Sequence, residues 1–188
     1  MPIKIGLSES DLEGNSILYS IPANSKLEAQ IAVDMDHIVS GELCRYKKNN
    51  DEFVWEYTGK EDPCYQLNIN PSFNVIIPCY VKLNKHIKQL VYIRGPKQFA
   101  TELLKLEKKF GDIRGMVVQF ERKDGKYAKY TISPTGIISK LQEVDIDNIL
   151  KPLVSKIFQG TSSQVYDWLG SKINIKANPT MGLDEEEL

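Results

Sequence analysis

Residues 91–134 read VYIRGPKQFATELLKLEKKFGDIRGMVVQFERKDGKYAKYTISP, and the fold turns on how this stretch is parsed. Pro96 suits a first helical turn, where its missing N–H would have no partner anyway, and Gly111 suits a left-handed stop. Between them Phe99, Leu103, Leu106 and Phe110 recur at spacings of four, three and four, which predicts one apolar helix face. After Gly111 the period changes to two. Met116, Val118 and Phe120 share one strand face, and Val117, Gln119 and Glu121 share the other. Asp124-Gly125 predicts a hairpin turn, with residues 127–133 returning as the partner strand.

Upstream, Phe73 to Leu83 (FNVIIPCYVKL) is the most apolar run and predicts a central strand, with a bulge or break at Pro78 because proline lacks a ladder donor. A turn over residues 84–86 leads into residues 87–94, giving a second hairpin. Residues 41–58 predict a third, its turn at Asn49, Asn50 and Asp51. Trp55 and Tyr57 on that hairpin suit either core packing or base stacking. Residues 58–63 read as a polar loop and 64–69 as a short edge strand. Residues 16–21 and 28–33 predict the first two strands, behind a mobile polar lead-in over residues 1–14.

Downstream, Asp145 predicts a helix cap before Ile146, Ile149, Leu150, Leu153, Val154 and Ile157, with Pro152 as an irregularity. A second short helix is expected from Ser162 or Ser163 to Gly170. The pair suits packing on the β domain or a partner surface, including self-association. The chain closes on ANPTMGLDEEEL, a disordered acidic tip by composition.

Among 188 residues, 26% are charged and the net charge is −1. Residues 80–133 carry 13 Lys and Arg against 5 Asp and Glu, so the rest of the chain is acidic. One region can therefore attract a polyanion while the remainder repels it. The start has no basic-then-apolar signal pattern and no run is long enough to span a membrane, which predicts a soluble, cytoplasmic protein with no membrane partner. Cys44, Cys64 and Cys79 form no close pair and predict free thiols. No phosphate loop, HExxH, GxSxG or deaminase zinc set is present, so no enzyme activity and no metal or cofactor is expected. Asp34, Asp36 and His37 are the nearest approach to a nuclease corner.

The order strand, strand, strand, helix, strand, strand predicts a mainly β, α+β domain: a five-stranded OB-like barrel over residues 15–138, elaborated by a hairpin inserted at 41–69. A helical extension over 139–172 and an acidic tail over 173–188 follow, and a plain α+β domain is the alternative. Residues 110–136, FGDIRGMVVQFERKDGKYAKYTISPTG, resemble the segment of tailed-phage single-stranded-DNA-binding proteins in which a helix ends in a GD turn, a strand ends in Arg before a Gly turn, and the next strand ends at Pro. Phe73 to Leu83 with Leu90 to Arg94 is similar to their central strands. The resemblance covers about residues 70–136. It implies an OB fold, single-stranded DNA as ligand in phage replication, recombination or repair within the host cytoplasm, and groove positions for Arg114, Arg122, Lys126 and Tyr130. The family's zinc ligands, one His and three closely spaced Cys, have no counterpart in the spacing of His37, Cys44, Cys64 and Cys79. Its basic N-terminal assembly segment is not matched by residues 1–14.

The residues themselves point the same way. Lys82, Lys85, Arg94, Arg114, Arg122, Lys126 and Lys129 are the expected phosphate contacts. Tyr80, Phe120, Tyr127 and Tyr130, with Trp55 and Tyr57, are the stacking candidates, although strand alternation requires some of these rings to be core. Asp184, Glu185, Glu186, Glu187 and Leu188 suit three uses: occupying the basic groove, docking on replication or recombination proteins, or solubilising the chain. The competing reading is a non-enzymatic virion or regulatory protein that binds a partner through residues 145–170.

Overall fold

The structure, a computed structural model, describes residues 18–48, 51–82, 88–138 and 145–157. The expected lead-in, the second C-terminal helix, the acidic tail and Lys85 lie outside the described residues.

The chain is mainly β, and its described residues form eight strands in one open mixed sheet. In chain order they are β1 (Leu18–Ser20), β2 (Ser25–Ile31), β3 (Val39–Lys48), β4 (Asp51–Glu56), β5 (Ser72–Lys82), β6 (Lys88–Pro96), β7 (Met116–Lys123) and β8 (Lys129–Ile138). Helix α1 (Lys97–Phe110) separates β6 from β7, and α2 (Ile146–Ile157) follows β8. The main path runs β1-β6-β5-β2-β7-β8, with β3 and β4 branching from β5. The three expected hairpins form as antiparallel pairs, whereas β1 joins the outer edge of β6 in parallel. Among the described residues no ladder joins β8 back to β6, so the sheet is not closed. No described helix is long and apolar enough to cross a membrane.

Strand alternation builds the main core. Leu27, Ala29 and Ile31 of β2, Ile77 and Cys79 of β5, and Met116, Val118 and Phe120 of β7 all point to one side. Helix α1 closes that side with Phe99, Leu103 and Leu106. Pro96 is the N-cap, one residue before the first turn, and Gly111 takes φ 79° at the C-cap. Phe110 departs from the expected face: it lies at the last turn, beyond the sheet, and is 43% exposed with Lys109 over its ring. Gly95 is fixed by packing, because a Cβ there would lie 1.8 Å from the Phe99 ring.

Pro78 does not break β5. The ladder to β6 continues through Pro78 opposite Tyr92. On the other side the partner changes at this point, from Ile31 opposite Cys79 to Val39 opposite Ile76. Proline is tolerated where no neighbouring strand requires its N–H, and its carbonyl accepts from Ala32 N–H at 2.9 Å.

A second core lies on the outer face. Ile76 and Tyr92 meet Leu18, Ala32, Val33 and Leu43, and α2 covers them with Ile149 and Leu153. Asp145 caps α2 as expected, its carboxylate accepting from Asn148 N–H at 3.2 Å. Ile149 and Leu153 of the first C-terminal helix therefore pack on this chain's own sheet.

The inserted hairpin and residues 57–71 form an arm with a third core of Cys44, Trp55 and Cys64. Residues 64–69 are turns and not the expected edge strand. Tyr65, Leu67, Asn68 and Ile69 donate to carbonyls three to five residues back, and Asn68 takes φ 54°.

Candidate nucleic-acid interface

Register decides where the cations go. The β7–β8 loop spans residues 124–128, so Lys123 stands opposite Lys129 and Arg122 opposite Tyr130. A tight turn at Asp124-Gly125 alone would have put Tyr127 on the ladder; the longer loop places it in solvent, 79% exposed. Lys126 Nζ lies 5.7 Å from the Tyr127 ring centroid. The loop is braced by Asp124 N–H donating to Asn24 Oδ1 at 3.0 Å, across the turn before β2.

The β5–β6 hairpin ends in the same way, with Lys82 opposite Lys88. Strand β2 lies between the two hairpins and pairs with β5 and β7, and Lys26 stands opposite Glu121. Paired residues share a face. The alternation that buries Leu27, Val81 and Phe120 therefore turns Lys26, Lys82, Lys88, Lys123 and Lys129 to the outer side, at one end of the sheet. Side-chain contacts follow this face across the strands. Lys88 donates to Gln30 Oε1 at 2.9 Å, while Glu121 Oε1 lies 3.4 Å from Lys26 and 3.3 Å from Lys123. Burial pushes the Glu121 carboxyl up, but the two lysines outweigh it and hold the group below its ordinary range. It stays ionised and offsets part of the positive charge.

The expected site residues separate into groups. Lys82, Lys126, Tyr127 and Lys129 are exposed at this end. Arg122 reaches it too, but Asp124 takes its guanidinium in a two-point pair, Nε–Oδ1 2.7 Å and Nη2–Oδ2 3.1 Å. Arg122 also lies 5.6 Å over the Tyr130 ring, and Tyr130 packs edge-on against Phe99 at 5.5 Å. Tyr130 is thus half-buried at the edge of the core. Phe120 is fully buried and cannot stack on a base. Trp55 is equally a core ring, 3% exposed, donating Nε1–H to Asp62 Oδ1 at 2.9 Å. Arg114 lies before β7, at the opposite end from Lys123, beside Asp112. Tyr80 and Arg94 are half-buried on the outer face. Tyr57 belongs to the arm, its hydroxyl 2.7 Å from that of Tyr65. That bond first, then burial, pushes the Tyr57 phenol up to about 12.

Lys26 and Lys88 were not among the residues expected to touch phosphate. Their place beside the other lysines depends on strand register, which no local signal carries. Asp62 was missed as well, because a carboxylate in a polar loop gives no sign of burial. Its two oxygens accept from Trp55 Nε1–H, Cys64 N–H, Thr58 N–H and the Thr58 hydroxyl, at 2.9 to 3.1 Å. Burial pushes this carboxyl up, and the hydrogen bonds from Cys64, Trp55 and Thr58 overcome that and lower it.

Cys44 Sγ, Cys64 Sγ and the Asp62 carboxylate lie within 4.8 Å of one another. The carboxylate oxygens already hold four donors, and Cys44 Sγ lies a further 3.7 Å from Oδ1, so the group reads as the hydrogen-bonded centre of the arm. Asp34 and His37 pair with each other, Oδ1 to Nδ1 at 2.6 Å. No family model, curated protein or solved structure matches the chain.

Proposed function

We propose that this chain binds single-stranded DNA with little regard to base sequence, protecting exposed strands during replication, recombination or repair, and that it does so without catalysis. The observation that carries the reading is the pair of like-charge rungs, Lys82 opposite Lys88 and Lys123 opposite Lys129, at the same end of one sheet face. Like charges directly opposite on a ladder are destabilising. Glu121 offsets part of the charge of Lys26 and Lys123, and a ligand carrying phosphates would supply the rest for the two rungs. The exposed ring of Tyr127 beside Lys126 adds the stacking partner that single strands use and that a duplex, with its bases already stacked, does not need.

Fold supports the same reading. The order β6-β5-β2-β7-β8 with a helix between β6 and β7, in a sheet that is not closed among the described residues, is compatible with the strand order of a five-stranded Greek-key OB domain. Such domains hold oligonucleotides on their second and third strands and on the loops beside them. Here the corresponding parts are β5, β6, the arm and residues 124–128. The likeness of residues 70–136 to phage single-strand-binding proteins agrees with this assignment. Asp184 to Leu188 would then serve as a docking tip for replication or recombination enzymes.

Fluorescence anisotropy of a labelled oligo(dT) of about 30 nucleotides tests the reading. Binding at low salt, lost on replacing Lys82 and Lys129 with Glu, is the expected result. Equal affinity for the wild type and that double variant would overturn it.

A further inference from the structure

We propose, resting on the single-strand reading, that the face of β5 and β6 beneath α2 is itself a base-stacking surface, and that α2 covers it until nucleic acid displaces the helix. This face continues directly from the Lys82–Lys88 rung. One rung inward stands Tyr80 opposite Leu90, then Pro78 opposite Tyr92, then Ile76 opposite Arg94. Two tyrosines therefore lie between a lysine pair and an arginine on one side of one hairpin. That is the mixture of rings and cations a single strand uses.

The chemistry under the helix suits two states. Tyr92 places a phenol there, and its hydroxyl is satisfied by donating to the Ile149 carbonyl of α2. When α2 leaves, water takes over that bond and the ring remains as a flat apolar surface, so uncovering Tyr92 leaves no orphaned donor.

The cover is helix α2, which also packs on β4. Ile149 and Leu153 are its fully buried side chains among the described residues, and Ile146, Leu150 and Pro152 are half-buried. Pro152 inside the helix removes one of its own backbone hydrogen bonds. In the proposed exchange, the stacking contacts of the ligand replace those of α2. The competent, uncovered state is then a minor one, and apparent affinity is reduced by its fraction.

Hydrogen exchange of the full-length protein, with and without saturating oligo(dT), tests the displacement directly. Displacement predicts faster exchange of residues 146–157 on binding, together with slower exchange at β5 and β6. Leu153→Ala, which weakens the cover, should tighten oligo(dT) binding roughly fivefold or more. Tyr92→Phe, which keeps the ring and loses the bond to Ile149, should act in the same direction and guards against a folding defect in the first variant. Salt-sensitive binding with α2 amides unchanged or slowed overturns this inference and leaves the lysine rungs as the site. Absence of oligo(dT) binding at low salt removes the single-strand reading as well.

Discussion

Lys129→Glu should stabilise the fold and weaken the ligand. Lys129 faces Lys123 across the last rung of the β7–β8 ladder, with no intervening residue. Reversing one charge removes a repulsion and creates an attraction, each within ~0.2 to 1 kcal/mol for a cross-strand pair. Both side chains are solvated, Lys123 being 65% exposed, so screening brings the expected gain down to about 0.5 kcal/mol. For a chain of this size that raises the melting temperature by about 1 to 2 °C. The same change places a carboxylate where a phosphate should sit. Affinity for oligo(dT) should fall about tenfold at low salt, and the slope of log K against log salt should shrink by about 0.7 or more. Differential scanning fluorimetry and anisotropy read the two effects on one preparation. Lys108→Glu, on exposed α1, makes the same change in net charge away from the rungs and should leave the salt slope unaltered. A lower melting temperature, or a binding curve and slope identical to wild type, would refute the argument from the like-charge rung.

Other consequences follow from burial. Tyr127→Ala should weaken oligo(dT) binding by ~1 to 3 kcal/mol without loss of stability, whereas Phe120→Ala, in the main core, should lose ~3 to 5 kcal/mol of folding stability in urea titration. Asp62→Ala leaves the Trp55 indole and the Cys64 and Thr58 amides without their acceptor, so the arm should lose about 3 kcal/mol, read as a red shift and early loss of Trp55 emission. Because hydrogen bonds hold the folded Asp62 carboxyl below its unfolded value, its contribution is present above the ordinary aspartate range of about 3.9. It should be lost as pH falls through the lower folded value, and a Trp55 shift centred above pH 5 would contradict this. Gly95→Ala forces a methyl onto the Phe99 ring and should cost ~1 to 3 kcal/mol by thermal unfolding.

The parts legible in the sequence were those set by local pattern. Phe99, Leu103 and Leu106 between a proline and a glycine specify a helix and its buried face, and Met116, Val118 and Phe120 specify a strand and its inner side. What sequence could not supply was register and tertiary partnership. Asp124-Gly125 marks a turn correctly but does not reveal that the loop runs to residue 128, and that difference turns Tyr127 from a ladder residue into an exposed ring. Trp55 could be core or stacking until Asp62, in a loop that reads as polar, is found beneath it. Residues 64–69 alternate like a strand, yet the bonds that fold them back run within the loop. Pro78 reads as a defect until the partner change beside it is known. The second like-charge rung is invisible for the same reason: Lys82 and Lys88 are neighbours only once the hairpin register is fixed.

The salt dependence of oligo(dT) binding tests the central claim most directly, comparing wild type with a variant carrying Gln at Lys82, Lys88, Lys123 and Lys129. Wild-type affinity should fall linearly in log K against log salt, and the variant should lose about 3 from the magnitude of the slope, roughly 0.7 for each phosphate contact removed. A variant that stays folded and binds with the wild-type slope would contradict it.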